Sequence, residues 1–340
     1  MAETDLTVAV TGPTGTFGSG LAPLLEADDR VTHVVGLARR PFDPVAHGWT
    51  KMEYRRGDVR DEAALRTAFA GADVVVHLAF TVVGGRRQRT RAVNVDGTLH
   101  AFRAAAAAGA RRFVYASSVA AYGFHPDNPV GMAEVWPVRP ADRLFYAREK
   151  AETEQLLHAE ASGQRAPALY LLRPSIVVGP HTVGGKNPLP APLARLTGRL
   201  PRRLPVPVPV PTPDIPLQLV HETDVGGALL RCIVAAGPPG AYNIAGSGVL
   251  SLLDVVRELG ALPVRVPARP AYTAMRALAH LPLLPESVGW AEAFSHPAIM
   301  DTDLARSRLG WTPRFTGLEA LQDAVGGGPG ASWRRGGARA

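Results

Sequence analysis

A phenol and an ammonium stand four residues apart in Tyr146-Ala147-Arg148-Glu149-Lys150, which puts both on one face of a helix. A phenol ionises near pH ~10 in water, so a neighbouring lysine cation is what would bring it into range for proton transfer near neutral pH. With seven Tyr and three Lys in 340 residues, a pair at this spacing is not expected by chance. Its bland alternative is an exposed helical pair. Upstream, Phe113-Val114-Tyr115-Ala116-Ser117-Ser118 is a strand-like run that ends in two hydroxyls. At the carboxyl end of a parallel strand, a serine can hold a substrate carbonyl or alkoxide while a tyrosine exchanges the proton. Ser118 is the expected partner of substrate, and Ser117 the expected cap of the turn.

A third constellation lies near the start, where an apolar run passes straight into Thr11-Gly12-Pro13-Thr14-Gly15-Thr16-Phe17-Gly18 and then a helical stretch. Gly12 and Gly15 would let backbone approach a pyrophosphate, and Gly18 would let helix and strand pack closely. Thr14, Thr16 and Phe17 complete a loop and first helical turn whose free N–H groups attract an anion. The first gap is one residue longer than in the usual dinucleotide fingerprint. A glycine-rich turn without ligand is the alternative, but its place after the first strand of a strand-helix-strand pattern favours dinucleotide binding. The second strand ends in Gly36-Leu37-Ala38-Arg39-Arg40, with no acid to accept a ribose 2′-hydroxyl. Arg39 and Arg40 would instead pair with a 2′-phosphate, so NADP is expected over NAD, which stays possible; two solvated arginines are the plain alternative.

These residues need a scaffold that brings strand ends together. Strands are expected at Leu6–Val10, Val31–Leu37, Met52–Arg55, Val74–Leu78, Arg112–Ala116 and Ala168–Leu172, with helices at Gly18–Ala27, Glu62–Ala70, Val93–Ala108 and Arg143–Ser162. Strands apolar at nearly every position are buried on both faces. The expected fold is α/β, a doubly wound parallel Rossmann-type sheet with a smaller C-terminal substrate domain. Residues 1–176 would form the dinucleotide domain, with returning segments near 217–247, and 177–325 would be mainly substrate-binding. Residues 201–216 hold seven prolines and should be extended, close to polyproline II. Gln218–Val220 and Ala241–Ile244 read as strands, Ser251–Leu259 as a helix capped by Ser251, and 326–340 as a disordered tail.

The formal charge of +7 is local: Arg195, Arg199, Arg202 and Arg203 in 191–204, and Arg334, Arg335 and Arg339 in the last fifteen residues, lie in stretches without acids. A loop and a tail are not an extended basic face, so nucleic acid is not an expected partner. One cysteine, Cys232, makes no internal disulfide, and no metal-binding spacing occurs. No apolar run approaches the roughly 18 residues that span a bilayer, and no leader pattern opens the chain. The expected setting is reducing and cytoplasmic, without membrane or metal.

In Thr11–Gly18, Gly57-Asp58-Val59, His77-Leu78-Ala79-Phe80, Asn94-Val95-Asp96-Gly97-Thr98, Ser117-Ser118 with Tyr122-Gly123, Tyr146–Lys150, Arg173-Pro174 with Gly179-Pro180, Val220-His221 with Asp224-Val225, and Leu309-Gly310-Trp311, the chain resembles the extended short-chain dehydrogenase/reductase family, the NAD-dependent epimerase/dehydratase type. The pieces occur in the family's order over residues 6–320. The resemblance implies Tyr146 as acid/base, Lys150 as its activator and ribose ligand, and Ser118 as the substrate's hydrogen-bond partner. It assigns Asp58 and Val59 to the adenine, the backbone of Leu78, Ala79 and Phe80 to the passage along the cofactor, and Ser175 to the cofactor residues. Asn94 would support the lysine through a helix irregularity and water, or be structural. His221 and Asp224 would be structural, and His181 a second acid/base near the substrate cleft or an exposed loop histidine.

Two departures narrow the reaction. Sugar 4,6-dehydratases usually carry Thr-Asp-Glu where this chain has Ser118-Val119-Ala120, and many nucleotide-sugar epimerases carry Asn where it has Ile176. The segment Arg173–Pro180 looks more like that of reductases acting on less polar carbonyls. The resemblance therefore implies an NAD(P)-dependent oxidoreductase on a ketone, aldehyde or secondary alcohol. A nucleotide-sugar 4-epimerase with tightly held NAD is the alternative, and a non-catalytic cofactor sensor a minor one, since sensors typically lack the Tyr and Lys. It also implies a homodimer through helices around Thr98–Ala108 and Arg143–Ser162.

Overall fold

The computed structural model describes residues 4–82, 87–140, 144–182, 208–268 and 296–326, together with 270 and 273. The apolar runs form β1 (Leu6–Thr11), β2 (Val31–Ala38), β3 (Met52–Arg56), β4 (Val74–His77), β5 (Arg112–Ala116) and β6 (Ala168–Pro174), close to the expected bounds. Short strands follow: β7 (Ile176–Val178), β8 (Pro209–Pro213), β9 (Pro216–Leu217), β10 (Leu219–His221), β11 (Gly240–Ile244), β12 (Leu250–Ser251) and β13 (Leu262–Val266). The helices are α1 (Thr16–Ala27), α2 (Glu62–Phe69), α3 (Arg87–Arg91), α4 (Gly97–Ala107), α5 (Phe145–Ala161), α6 (Glu222–Ile233), α7 (Leu252–Glu258), α8 (Asp303–Leu309) and α9 (Gly317–Val325). The basic stretch around Arg195–Arg203 and the tail after 326 lie outside the described residues.

Seven strands make one parallel sheet in the order β3-β2-β1-β4-β5-β6-β11. Val8 and Val10 pack into one apolar cluster and Ala9 between them into another, so both faces are buried, as the near-continuous apolar strands require. The strand order reverses between β1 and β4, and a crevice opens there beyond their carboxyl ends. This is the doubly wound Rossmann-type fold. The returning segment closes it: β11 joins the sheet beside β6, and α6 crosses α1 nearly backbone to backbone. A Cβ on Gly20 would stand 2.2 Å from the Glu222 carbonyl oxygen, and one on Gly226 2.2 Å from that of Gly20.

Two expectations are corrected. Of the proline run, 201–207 lie outside the described residues, and residues 209–213 are extended but not a polyproline helix: they pair in parallel with β13. Prolines at alternate positions remove donors along only one strand edge, which leaves the other free to pair. The helix expected over Val93–Ala108 starts earlier, at Arg87, and runs to Ala107 through a π-helical turn at Ala92–Asp96 between α3 and α4. Ser251 caps α7 as expected, in a reciprocal capping box with Asp254.

The C-terminal segment is pinned to the first turn of α6. The Asp224 carboxylate accepts the backbone N–H groups of Arg314 (2.9 Å) and Phe315 (3.1 Å), and its carbonyl accepts the Trp311 indole N–H at 2.9 Å. His221 stacks on Phe315, with ring centres 4.2 Å apart, and reaches the Asp323 carboxylate at 3.1 Å. Both residues act structurally, as expected. Among the described residues no helix is long and apolar enough to cross a membrane, and no cluster of three or more His, Cys, Asp or Glu could hold a metal.

Candidate active site

The glycine-rich loop joins β1 to α1 at the topological switch. Gly12 has φ +74°, and a Cβ there would stand 2.9 Å from the Ala79 backbone nitrogen; one on Gly18 would stand 2.2 Å from the Pro13 carbonyl oxygen. Side chains at these positions would fill the cradle or push α1 off the sheet. Gly15 starts α1 with no side-chain cap, so the first-turn N–H groups are left for an anion. The residues present therefore fit a dinucleotide pyrophosphate. Val59 is buried under α4, where a Cβ on Gly97 would meet it at 2.7 Å. The Asp58 carboxylate is taken by Arg60, at 3.0 and 2.8 Å, and the guanidinium holds it below the usual carboxylate range. Arg39 and Arg40 are exposed at the end of β2.

At the end of β5, Ser118 stands beside Tyr146, and it is Ser117 that departs from its expected part as turn cap. Ser118, not Ser117, caps the following turn: its Oγ accepts the Ala120 N–H at 3.1 Å. Ser118 also hydrogen-bonds the Tyr146 phenol. Ser117 is fully buried and donates to the Glu154 carboxylate. Both hydroxyls meet α5, Ser118 at Tyr146 and Ser117 at Glu154, about two turns further along that helix.

Lys150 is buried and close to the aromatic groups around it. Its ammonium donates to the Ala116 carbonyl at 2.5 Å and to the Tyr115 phenol at 3.3 Å, and lies 3.6 Å from the centre of the Phe80 ring. It stands 5.9 Å from the centre of the Tyr146 ring, and Phe80 meets Tyr146 edge-on at 5.4 Å. Burial lowers the ammonium to a pKa of about 7, against the pull of the Glu154 and Glu149 carboxylates. Burial also pushes the Tyr146 phenol above its ordinary value, against the Ser118 hydrogen bond. Lys150, at 5.9 Å from the ring centre, contributes no lowering of the phenol here; Ser118 is the group that opposes burial.

Behind the site, Glu154 and Asn243, which the sequence patterns did not single out, join residues that they did. Arg173 donates to both Glu154 oxygens (Nε 3.0 Å, Nη2 2.6 Å) and to the Tyr122 phenol at 2.7 Å, and Tyr122 donates to Asn243 at 2.8 Å. The Asn94 amide clamps the Thr81 backbone, accepting at 2.7 Å and donating at 3.0 Å, and donates to Glu149 at 2.6 Å. The helix irregularity expected around Asn94 is present, but its side chain reaches the neighbour of Lys150 and not the lysine. His77 lies between Thr11 and Thr98, at 2.9 and 3.0 Å, and burial lowers it to a pKa of about 3. Thr98 spends its proton on the Asn94 carbonyl at 2.6 Å, so it accepts from His77 Nε2–H, and Thr11 donates to Nδ1. This chain ties the strand that opens the glycine loop to the π-helical turn. His77 stands out in the sequence as a polar residue ending an apolar run, whereas Glu154, in the polar stretch Glu152-Thr153-Glu154-Gln155, carries no such signal.

His181 is an exposed loop histidine, the second of its two expected readings. Its backbone carbonyl accepts from Thr16 at the start of α1 (3.1 Å), while its imidazole and N–H engage the buried Glu222 carboxylate at 2.6 and 3.1 Å. It bolts the turn after β7 to the first turn of α1. Ser175, at the end of β6, lines a cleft with Val119, Phe124 and Ile176.

The profile of the NAD dependent epimerase/dehydratase family matches residues 8–245. An uncharacterized protein of Mycobacterium tuberculosis is 29% identical over 93% of this chain and 82% of its own length. Sterol demethylase protein B of Methylococcus capsulatus is 34% identical over 52% of each chain. Among solved structures, MoeE5 in complex with UDP-glucuronic acid and NAD superposes with TM-score 0.70 at 24% identity, over 97% of this chain and 99% of that one. UDP-glucose 4-epimerase from Thermotoga maritima superposes with TM-score 0.71 at 20% identity, over 97% and 99%. A parallel seven-stranded sheet with a glycine loop at its switch point, and a profile match over most of the chain, establish that this protein belongs to the NAD-dependent epimerase/dehydratase family.

Proposed function

We propose that the protein is an NAD(P)-dependent oxidoreductase that interconverts a ketone or aldehyde and the corresponding alcohol. The observation that carries this is the Tyr146 phenol, hydrogen-bonded to Ser118 at the end of β5 with Lys150 buried behind it. The bound dinucleotide supplies or accepts the hydride. Ser118 holds the substrate oxygen, and Tyr146 gives that oxygen its proton, or takes it in the reverse direction. Lys150 orients the phenol and a ribose hydroxyl. Gly12, Thr14, Gly15, Thr16, Phe17 and Gly18 hold the pyrophosphate, Asp58 and Val59 face the adenine, and Leu78, Ala79 and Phe80 line the passage between them. Asn94 acts through Glu149.

NADP is favoured over NAD by Arg39 and Arg40, which stand where an acid would repel the 2′-phosphate. Residues 1–176 with the returning 217–247 segment bind cofactor, and the remainder to 325 shapes the substrate site. A cytoplasmic homodimer that packs α4 and α5 against their copies completes the proposal.

The likeness to sterol demethylase protein B and the apolar Ile176 support a weakly polar substrate. The family profile also supports a second reaction, epimerisation, in which the same residues oxidise and re-reduce one sugar carbon with NAD retained. Tyr146→Phe decides whether the site reacts at all: turnover is expected to vanish while calorimetric cofactor affinity persists, and retained activity would sink the mechanism. NADPH consumed in proportion to carbonyl separates net reduction from epimerisation.

A further inference from the structure

Tyr115 lies in β5, a strand buried at every position, and packs in the apolar cluster that holds Phe102 and Phe113. A phenylalanine would serve that packing. A phenol placed there must find partners for its hydroxyl, because an unpaired buried hydroxyl costs stability. It finds two, both on α5: it accepts from the Lys150 ammonium at 3.3 Å, and it hydrogen-bonds Thr153. Thr153 is wholly buried, and its own proton goes to the Glu149 carbonyl at 2.6 Å.

Proton counting gives these bonds a direction. An ammonium only donates and the Thr153 proton is already spent, so the single phenolic proton of Tyr115 goes to Thr153 Oγ1. The Tyr115 oxygen is thereby left to Lys150 as an acceptor. The ammonium thus meets two oxygens, that of Tyr115 and the Ala116 carbonyl, and the face of the Phe80 ring. The other titratable groups that act on it are Glu149, Glu154 and Tyr146 on α5 and His77 on β4.

We propose that Tyr115 is a positioning residue: its hydroxyl, oriented by Thr153, holds the Lys150 ammonium in place and in its charged form. What the lysine then does for Tyr146 and the cofactor rests on the oxidoreductase function proposed above; the hold on the lysine does not.

The chain has three lysines, Lys51, Lys150 and Lys186, so NMR of the whole protein labelled at lysine Cε gives three signals, and Lys150→Met identifies the one that matters. Its titration midpoint in wild type is expected at about 7. Tyr115→Phe keeps the ring and removes the acceptor, and should lower the midpoint by about one pH unit. Thr153→Val removes what orients the phenol and should shift it the same way, while Thr153→Ser should leave it where it was. The alkaline limb of NADPH-dependent reduction of 4-phenylcyclohexanone should move down with the midpoint. A hydroxyl that only ties β5 to α5 would change the urea stability of Tyr115→Phe and leave both the midpoint and the pH profile where they were. That result, or a midpoint lowered by neither Tyr115→Phe nor Thr153→Val, would overturn the assignment. Failure of the oxidoreductase function shows separately, as a shifted midpoint without NADPH oxidation at any pH.

Discussion

The Lys150 ammonium rests 3.6 Å from the centre of the Phe80 ring, closer than it comes to the Tyr146 ring, at 5.9 Å. The cation is shielded from water by aromatic faces and a single carbonyl, and this explains its pKa of about 7.

A lysine with a folded pKa below its unfolded value of about 10.5 binds fewer protons in the native state throughout that interval. Stability should therefore rise with pH from about 7 to 10.5, by up to ~1.4 kcal/mol per unit from this group. In Lys150→Met that contribution is gone. Urea unfolding across this range should show the variant most favoured relative to wild type near pH 7, with the gap closing toward pH 10.5; parallel curves would refute the buried ammonium.

His77 titrates by the same logic in a lower window. Its folded pKa of about 3 lies below the ordinary 6.5, so the unfolded chain takes up the proton first and stability falls as pH drops from 6.5 toward 3. His77→Leu leaves the Thr11 and Thr98 hydroxyls without their shared partner and should cost ~1–3 kcal/mol at pH 7.5. That deficit should shrink at pH 5, as measured by guanidinium unfolding at both values.

Arg173 and Glu154 form a buried ion pair, 5% and 2% exposed. Glu154→Gln strands the guanidinium and should cost about 3–5 kcal/mol, whereas Glu154→Leu with Arg173→Met should recover most of it. Glu154 also helps keep Lys150 charged, so Glu154→Gln should move the lysine's stability inflection to lower pH. An unchanged inflection would disconnect the pair from the active lysine.

Cofactor choice is open to a direct measurement. Arg39→Ala should weaken NADPH by roughly tenfold or more and leave NADH nearly unchanged, since only the former offers a phosphate to a guanidinium. Calorimetric titration of both dinucleotides checks this, and equal affinities untouched by the substitution would remove the case for NADP.

The sequence by itself determined the parallel sheet, because strands apolar at successive positions admit burial only between two helical layers. It also determined the glycine loop, whose Gly12 and Gly18 sit where a Cβ would strike backbone, and the single face shared by Tyr146 and Lys150. Local spacing suffices for these features. The sequence also singled out Ser118 beside the tyrosine, whereas tertiary structure alone decided that Ser117 is buried against Glu154 and does not cap the turn. It decided that Phe80 covers Lys150 and that His181 bolts a distant turn to α1, contacts between segments far apart in the chain. It also left the Ser175 hydroxyl buried without a partner. Hydrogen-bond pairing and desolvation depend on what surrounds a group in space, and no pattern along the chain encodes that.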